Sequence, residues 1–146
     1  MIRIYAEHSA LTDQVRALAH AGSIQLIHFP YDPDSRSRHL TNRGVPSAAQ
    51  WRDLNMPFSE LPGAFDDYAG SEHLETIIAL IGRQNRRDAL HVDSAFKSGC
   101  VALLTRDTDI LSKRAELEQV LNLKFFHPDK DAETFARFVS QSVGAA

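Results

Sequence analysis

Apolar residues recur along the chain with two different spacings, and these spacings predict alternating strands and helices. Continuous or alternating apolar runs are typical of strands in a sheet that is covered on both faces. Such runs occur at about residues 2–6, 24–29, 100–104 and 123–127. Apolar residues at intervals of three and four predict helices between and after these strands. The helices are expected from Ser9 or Thr12 to about residue 21, at about 71–81, 86–98 and 110–121, and after Asp131, where the last helix carries Phe135, Phe138 and Val139.

Polar residues and glycines mark several of the expected helix ends. Ser9 or Thr12 is a suitable N-cap for the first helix, and Gly22 suits its C-terminal end. Gly82 is expected to end the helix over 71–81, and Asp131 to cap the last helix. The chain therefore opens as strand, helix and strand with short joints, which is typical of a parallel crossover. We expect one α/β domain over residues 1–146, with a three-layer, Rossmann-like arrangement around a central parallel sheet of four or more strands.

The segment at about residues 31–71 breaks this pattern and is expected to be an irregular insertion. It holds four of the six prolines, together with several glycine, aspartate and serine residues. A short helix around residues 47–54 is one interpretation of its middle. Segments of this length without regular structure are uncommon in compact domains and are often functional.

Composition excludes several classes of protein. A single cysteine, Cys100, rules out an internal disulfide and a cysteine-based zinc site, and its place in an apolar run indicates a core residue. The net charge of −3 argues against a broadly basic nucleic-acid wrapper. No apolar run approaches the roughly 18 residues of a membrane span, so we expect a cytoplasmic protein without membrane contact. The seven histidines form no metal-binding motif.

Acidic residues follow the predicted strands at the edge of the sheet where sites of α/β proteins form. They are Glu7, Asp32, Asp34, Asp107 and Asp109, and Asp88 lies in the first turn of the helix that precedes the third strand. Carboxylates that meet in one crevice repel one another unless a cation lies between them, and Mg²⁺ or Mn²⁺ prefers such oxygen ligands. A metal held there could hydrolyse a phosphodiester. The alternative is that each acid is only a helix cap or a turn former.

One block of sequence has a recognisable pattern. A helix opened by Asp88 is followed by Gly99, an apolar strand and the sequence Thr105-Arg106-Asp107. This block resembles the C-terminal half of PIN domains, which show an Asp-led helix, a small residue, an apolar strand and a Thr-x-Asp signature. The opening of the chain around Glu7 is similar in shape to the first strand and helix start of that family.

The resemblance implies a Mg²⁺- or Mn²⁺-dependent nuclease that acts mostly on RNA. Asp107 matches the acid of the Thr-x-Asp signature, Asp88 the acid that opens the preceding helix, and Asp109 an accessory acid. Glu7 takes the place of the acid that ends the first strand. Metal ligation is thus expected from Glu7, Asp88 and Asp107, with Asp109 assisting catalysis. Many relatives are toxins of toxin–antitoxin pairs and many are dimers, which implies an antitoxin protein and a homodimer as partners.

The chain departs from the family pattern in two places. Glu7 stands where the family has Asp, and residues 30–36 offer no helix for the Glu that the family carries after the second strand. Asp32 or Asp34 is the available substitute. A catalytically degenerate PIN-like domain that binds RNA or protein is therefore the alternative function. A phosphoacceptor receiver domain also places acids at strand ends, but Lys124 lies within the last strand and not at its end.

Arginines near the predicted acids could grip phosphate. The candidates for substrate binding are Arg36, Arg86, Arg87 and Arg106. Solvated helix ends explain the pair beside Asp88 equally well.

Overall fold

Five strands form one sheet in which every neighbouring pair is parallel. The computed structural model describes residues 1–28, 41–43 and 70–144. The strands are β1 (Ile2–Ala6), β2 (Ile24–His28), β3 (Thr41–Arg43), β4 (Ala102–Leu104) and β5 (Lys124–Phe126). Their order across the sheet is β3-β2-β1-β4-β5. The predicted α/β class with a parallel sheet of four or more strands is confirmed.

Six α-helices occur in the described residues. They are α1 (Asp13–His20), α2 (Leu74–Ile81), α3 (Arg86–Lys97), α4 (Thr108–Leu111), α5 (Arg114–Val120) and α6 (Ala132–Gly144). Short 3₁₀ turns at His8–Ala10 and Arg83–Asn85 precede α1 and α3. None of the helices within these described ranges has the length and apolar character required to cross a membrane.

The sheet is covered on both faces, because successive side chains of each strand point to opposite sides. Tyr5 and Leu103 face one core, which they share with apolar residues of α2, α3, α4 and α5. Ile4 and Leu104 face a second core, which they share with residues of α1 and α6. Both cores consist of side chains that are almost completely removed from water. The result is the three-layer arrangement that the apolar runs predict.

Several predicted helix ends are confirmed by their local geometry. The Thr12 hydroxyl accepts a hydrogen bond from the Val15 N–H at 3.3 Å and so caps α1. Gly22 and Gly82 follow α1 and α2 with φ angles of +77° and +111°, a region that side chains disfavour. These glycines let the chain reverse direction within a few residues.

The helix expected over 110–121 is instead two helices, and the single-helix prediction is wrong. Asp107 begins α4 two residues earlier than expected because its side chain accepts the Asp109 N–H. The backbone then forms a 3₁₀-type turn after Leu111, where the Lys113 N–H bonds to the Ile110 carbonyl at 3.1 Å. The Ser112 hydroxyl also bonds to the Asp109 carbonyl at 3.2 Å, which competes with continuation of the helix.

The irregular segment contains a strand that the pattern of apolar residues does not predict. β3 has the sequence Thr-Asn-Arg and pairs with β2 in the register Leu26↔Thr41, Ile27↔Asn42 and His28↔Arg43. The helix expected around 47–54 lies outside the described residues, as does most of the segment. The extent of the domain over 1–146 stays a prediction.

The sheet has a topological switch point between β1 and β4. From β1 the chain proceeds to β2 and β3 on one side, and it later returns to build β4 and β5 on the other side. The loops that follow β1 and β4 therefore leave in opposite directions and open a crevice at the carboxyl edge of the sheet. Glu7 and the segment Thr105–Asp109 begin at this crevice.

Candidate metal centre

Three aspartates converge at the crevice. Asp88, Asp107 and Asp109 each place one carboxylate oxygen so that the three oxygens lie within 4.8 Å of one another. Asp88 and Asp107 are half-buried and Asp109 is exposed. The sequence predicts this meeting of residues from α3 and from the loop after β4, and the structure brings the three together.

Local hydrogen bonds fix the loop after β4. The Thr105 hydroxyl accepts the Asp107 N–H at 3.0 Å, and Asp107 Oδ1 accepts the Asp109 N–H at 2.8 Å. Asp107 therefore does cap α4, as the alternative interpretation of this residue predicts. A carboxylate has two oxygens, however, and capping α4 uses Oδ1 alone. The helix cap and membership of the cluster are compatible roles.

Asp88 reaches the same place from the opposite direction. α3 ends just before β4, since the Cys100 N–H bonds to the Ala95 carbonyl and the Val101 N–H bonds to the Arg3 carbonyl. A helix that leads into the start of a strand has its own N-terminus near the far end of that strand. Asp88 lies in the first turn of α3. A carboxylate is also favoured there by the helix dipole.

Burial and the neighbouring acids make ionisation of Asp88 unfavourable. Burial, the hydrogen bond with Asp107 and the charges of Asp107 and Asp109 together raise the pKa of Asp88 to about 7, against the opposing charge of Arg87. In the protein without a bound cation, Asp88 is therefore partly protonated at neutral pH. Among the described residues, Arg87 is the one cation that lowers the pKa of Asp88, against two neighbouring carboxylates that raise it.

Glu7 lies beside the cluster and outside it. Its Oε2 accepts a hydrogen bond from the Thr105 hydroxyl at 2.9 Å, and its N–H bonds to the Leu104 carbonyl at 3.3 Å. Within the described residues, Glu7 belongs to no group of three acids close enough to share an ion. Thr105 thus links Glu7 to Asp107, because one hydroxyl donates to the first and accepts from the backbone of the second.

Tyr5 and His91 form a hydrogen-bonded pair next to the cluster, and the sequence analysis does not predict this pair. His91 is one turn after Asp88 on α3, and its Nδ1 lies 2.6 Å from the Tyr5 hydroxyl on β1. Burial and the charge of Arg87, opposed by Asp107, lower the pKa of His91 to about 3, so the imidazole is neutral. The spacing of three residues between Asp88 and His91 is the signal that places both on one helix face.

The predicted substrate-binding arginines occupy different positions. Arg86 is half-buried and Arg87 exposed at the start of α3, and both have interactions within the fold. The Arg106 Nε donates to the Ser9 carbonyl at 2.9 Å, and its guanidinium also bonds to Asp129. Arg36 lies outside the described residues, as do the substitute acids Asp32 and Asp34.

The structure also bears on the predictions made for Cys100 and Lys124. Cys100 is buried in the core as expected, and burial raises the pKa of its thiol to about 12, which makes it a poor nucleophile. Lys124 begins β5, at the end of the strand opposite the crevice, and its Nζ lies 3.8 Å from Glu118. It therefore cannot serve the aspartates as the lysine of a receiver domain would.

The donor set of the cluster suits a hard divalent cation. All three groups are carboxylates, and oxygen ligands of this kind favour Mg²⁺ or Mn²⁺ over softer metals. A cation between them would also offset the burial and the repulsion that raise the pKa of Asp88. The residues present therefore fit the metal that the resemblance implies. Comparison of the chain with protein families, with curated proteins and with solved structures finds no match.

Proposed function

We propose that this chain is a PIN-like, divalent-metal-dependent ribonuclease that hydrolyses phosphodiester bonds of RNA. The observation that carries the proposal is the convergence of Asp88, Asp107 and Asp109 at the switch point of a parallel sheet. Three carboxylates from two separate elements, with one exposed arginine nearby, form a site whose charge calls for a cation. The block from Asp88 to Asp109 supplies the likeness to PIN domains.

Asp88, Asp107 and Asp109 would hold Mg²⁺ or Mn²⁺. When bound, such an ion lowers the pKa of a coordinated water and neutralises charge on the phosphate and the leaving oxygen. Asp88 must give up its proton to act as a ligand, so metal binding is coupled to proton release. Arg87 lies beside Asp88 and is suited to a phosphate oxygen of the substrate.

Other residues of the chain position these ligands. The hydrogen bond between Tyr5 and His91 ties α3 to β1, which sets the distance between Asp88 and the loop after β4. Thr105 holds Glu7 and the Asp107 backbone in one arrangement. Glu7 thus supports the site through Thr105, and its ligation of the metal stays a prediction.

The resemblance to PIN domains also suggests a biological role, which we include in the proposal. The chain would act as a cytoplasmic toxin with an antitoxin partner and would form a homodimer. The phosphates of the RNA would be bound by Arg36, Arg86, Arg87 and Arg106.

Cleavage assays with matched variants test the proposal. Single-stranded and structured RNAs are incubated with the protein and Mn²⁺, and then with EDTA. Asp107→Asn removes a charge from the cluster, whereas Asp13→Asn removes one from the exposed first turn of α1. We expect cleavage by the native chain and by Asp13→Asn, and none with EDTA or by Asp107→Asn. Cleavage that persists unchanged in Asp107→Asn would contradict the proposal.

A non-catalytic PIN-like module that binds RNA or protein is the second candidate. The engagement of Glu7 by Thr105, outside the aspartate cluster, favours it, because the acid at the end of the first strand then takes no direct part in the site. Calorimetry separates the two functions. Absence of Mn²⁺ binding at millimolar concentration, with RNA binding retained, would support the module, and tight metal binding would count against it.

A further inference from the structure

A second feature of the same edge is an open groove of about 420 Å³ beside the loop after β4. It lies between α4, the start of α5 and the turn that follows β5. Its charged and polar lining includes Arg106, Thr108, Arg114, His127, Lys130 and Asp131. A groove of this volume is large enough for one nucleotide unit of a longer chain.

The groove is continuous with the aspartate cluster along the chain. Thr108 lines the groove and stands between Asp107 and Asp109. Arg106 lines it as well and directly precedes Asp107. The groove lining thus includes residues that are sequence neighbours of the carboxylates. An RNA strand bound at the cluster is therefore expected to reach the groove as well.

The groove carries more positive than negative charge. Arg106 is paired with Asp129, and Arg114 donates to Asp131 at 3.0 Å. Lys130 is exposed and forms no ion pair with the part of the chain that the structure describes. Two arginines are thus paired with two aspartates, and the ammonium group of Lys130 is the charge available to a ligand.

His127 adds a further donor. Its Nδ1 accepts the backbone N–H groups of Asp129 and Lys130, each at 3.1 Å. An imidazole nitrogen that accepts a hydrogen bond carries no proton, so the ring proton lies on Nε2. A phosphate oxygen in the groove could receive hydrogen bonds from this Nε2–H, from the Thr108 hydroxyl and from Lys130.

We propose that this groove binds the phosphodiester backbone of the RNA strand next to the position of cleavage, with Lys130 as its principal contact. The inference rests on the proposed function for the identity of the strand. It adds Arg114, His127 and Lys130 to the residues that the sequence suggests for substrate. RNA is favoured over an acidic peptide because two residues of the groove lining, Arg106 and Thr108, flank Asp107 of the proposed metal site.

Binding measured without metal tests the groove separately from catalysis. Fluorescence anisotropy is recorded with a labelled 12-nucleotide oligouridylate in EDTA, over a series of salt concentrations. Lys130→Glu is compared with Lys124→Glu, which makes the same charge change at an exposed position at the opposite end of β5. Circular dichroism and thermal melting confirm that both variants fold. An oligoglutamate peptide serves as a competitor.

We expect Lys130→Glu to weaken binding by roughly fivefold or more and to reduce the slope of log K against log salt by about one unit. Lys124→Glu should bind RNA as the native chain does. Equal binding by the native chain and Lys130→Glu would overturn the inference, as would oligoglutamate displacing the labelled RNA as effectively as unlabelled oligouridylate does. Either result leaves the cleavage test with Asp107→Asn intact, so the two proposals fail separately.

Discussion

Two groups of aspartates, Asp88 with Asp107 and Asp109, and Asp129 with Asp131, differ in the charges that the fold places beside them. In the first group, burial and mutual repulsion raise the pKa of Asp88, and Arg87 alone opposes them. In the second group, Asp129 and Asp131 each bond to an arginine from another element. The bond to Arg106 lowers the pKa of Asp129. Burial would raise the pKa of Asp131, but the His127 N–H and Arg114 outweigh it.

The difference separates structural acids from functional ones. Asp131 joins α5 to the turn before α6, because its Oδ2 accepts both the Arg114 guanidinium and the His127 N–H, the latter at 2.8 Å. Its negative charge is satisfied within the chain. In the part of the chain that the structure describes, only Arg87 opposes the charge of the Asp88 cluster, and carboxylates held together in this way are candidates for a functional site. An external cation is therefore expected at the first group and not at the second.

The largest expected effect is on catalysis. Asp107→Asn should lower Mn²⁺-dependent RNA cleavage roughly 1,000-fold, since a bound metal supplies several kcal/mol of transition-state stabilisation. Asp131→Asn alters the second group. Its cleavage rate should stay within about tenfold of the native rate, a smaller loss than removal of a metal ligand causes. Equal loss in both variants, measured as initial rates on one RNA, would erase the distinction between the groups.

The next effect is stabilisation by metal. At a hundredfold excess over its Kd, Mn²⁺ should stabilise the native fold by about 2.7 kcal/mol. For a domain of this size that raises Tm by roughly 8 °C. Asp88→Asn should lose this increase, and Asp131→Asn should keep it. Differential scanning fluorimetry with and without Mn²⁺ measures both, and an unchanged increase in Asp88→Asn would place the ion elsewhere.

The two groups should also give opposite pH dependence in the metal-free protein. Asp88 has a folded pKa of about 7 against an ordinary value of 3.8, so the folded state holds its proton more tightly. Its contribution to stability is fully present below 3.8 and is lost as pH rises toward 7. Asp131 has a lowered pKa, so its contribution is present above 3.8 and is lost as pH falls through the folded pKa.

Melting curves from pH 3 to 8 in EDTA separate the contributions of Asp88 and Asp131 to stability. Asp88→Asn should flatten the decline in Tm between pH 5 and 7, by a few degrees relative to the native chain. Asp131→Asn should leave that decline in place and reduce the loss below pH 4. A decline of the same size in Asp88→Asn would mean that other groups cause it.

The smallest effect concerns stability at neutral pH. Asp131→Asn weakens the contacts to Arg114 and to the His127 N–H, and we expect a cost of about 1 kcal/mol because the side chain is only partly covered. Asp13→Asn, which has no comparable contacts, should cost less. Urea unfolding of the two variants measures the difference, and a smaller cost for Asp131→Asn would show that the second group is not structural.

Much of the fold could be predicted because local patterns agree with the tertiary structure. The stripe of Ile77, Ile78 and Ile81 defines one helix face, and Gly82 ends it with a positive φ. β3 could not be predicted in this way, because its three polar residues carry no apolar alternation and its pairing with β2 is a backbone property. The break between α4 and α5 depends on backbone bonds around Ser112, which leave little trace in the periodicity of the sequence.

The candidate site was predictable for a different reason. Parallel strands deliver the residues that follow them to one edge, so Asp107 and Asp109 after β4 are expected near the start of α3. The exact group was not predictable, since Glu7 and Asp109 both follow strands, and the sequence does not show that Glu7 bonds to Thr105 while Asp109 joins Asp88 and Asp107. The Tyr5–His91 pair depends on the packing of α3 against β1, which sequence spacing alone does not give.

The most direct test of the central claim is a crystal structure of the protein soaked in Mn²⁺, with anomalous data collected to locate the ion. The account predicts an anomalous peak bounded by carboxylate oxygens of Asp88, Asp107 and Asp109, at about 2.1 Å from the ligating oxygens. No peak should lie between Asp129 and Asp131. An empty aspartate cluster at saturating Mn²⁺, or an ion bound at the second group instead, would contradict the account.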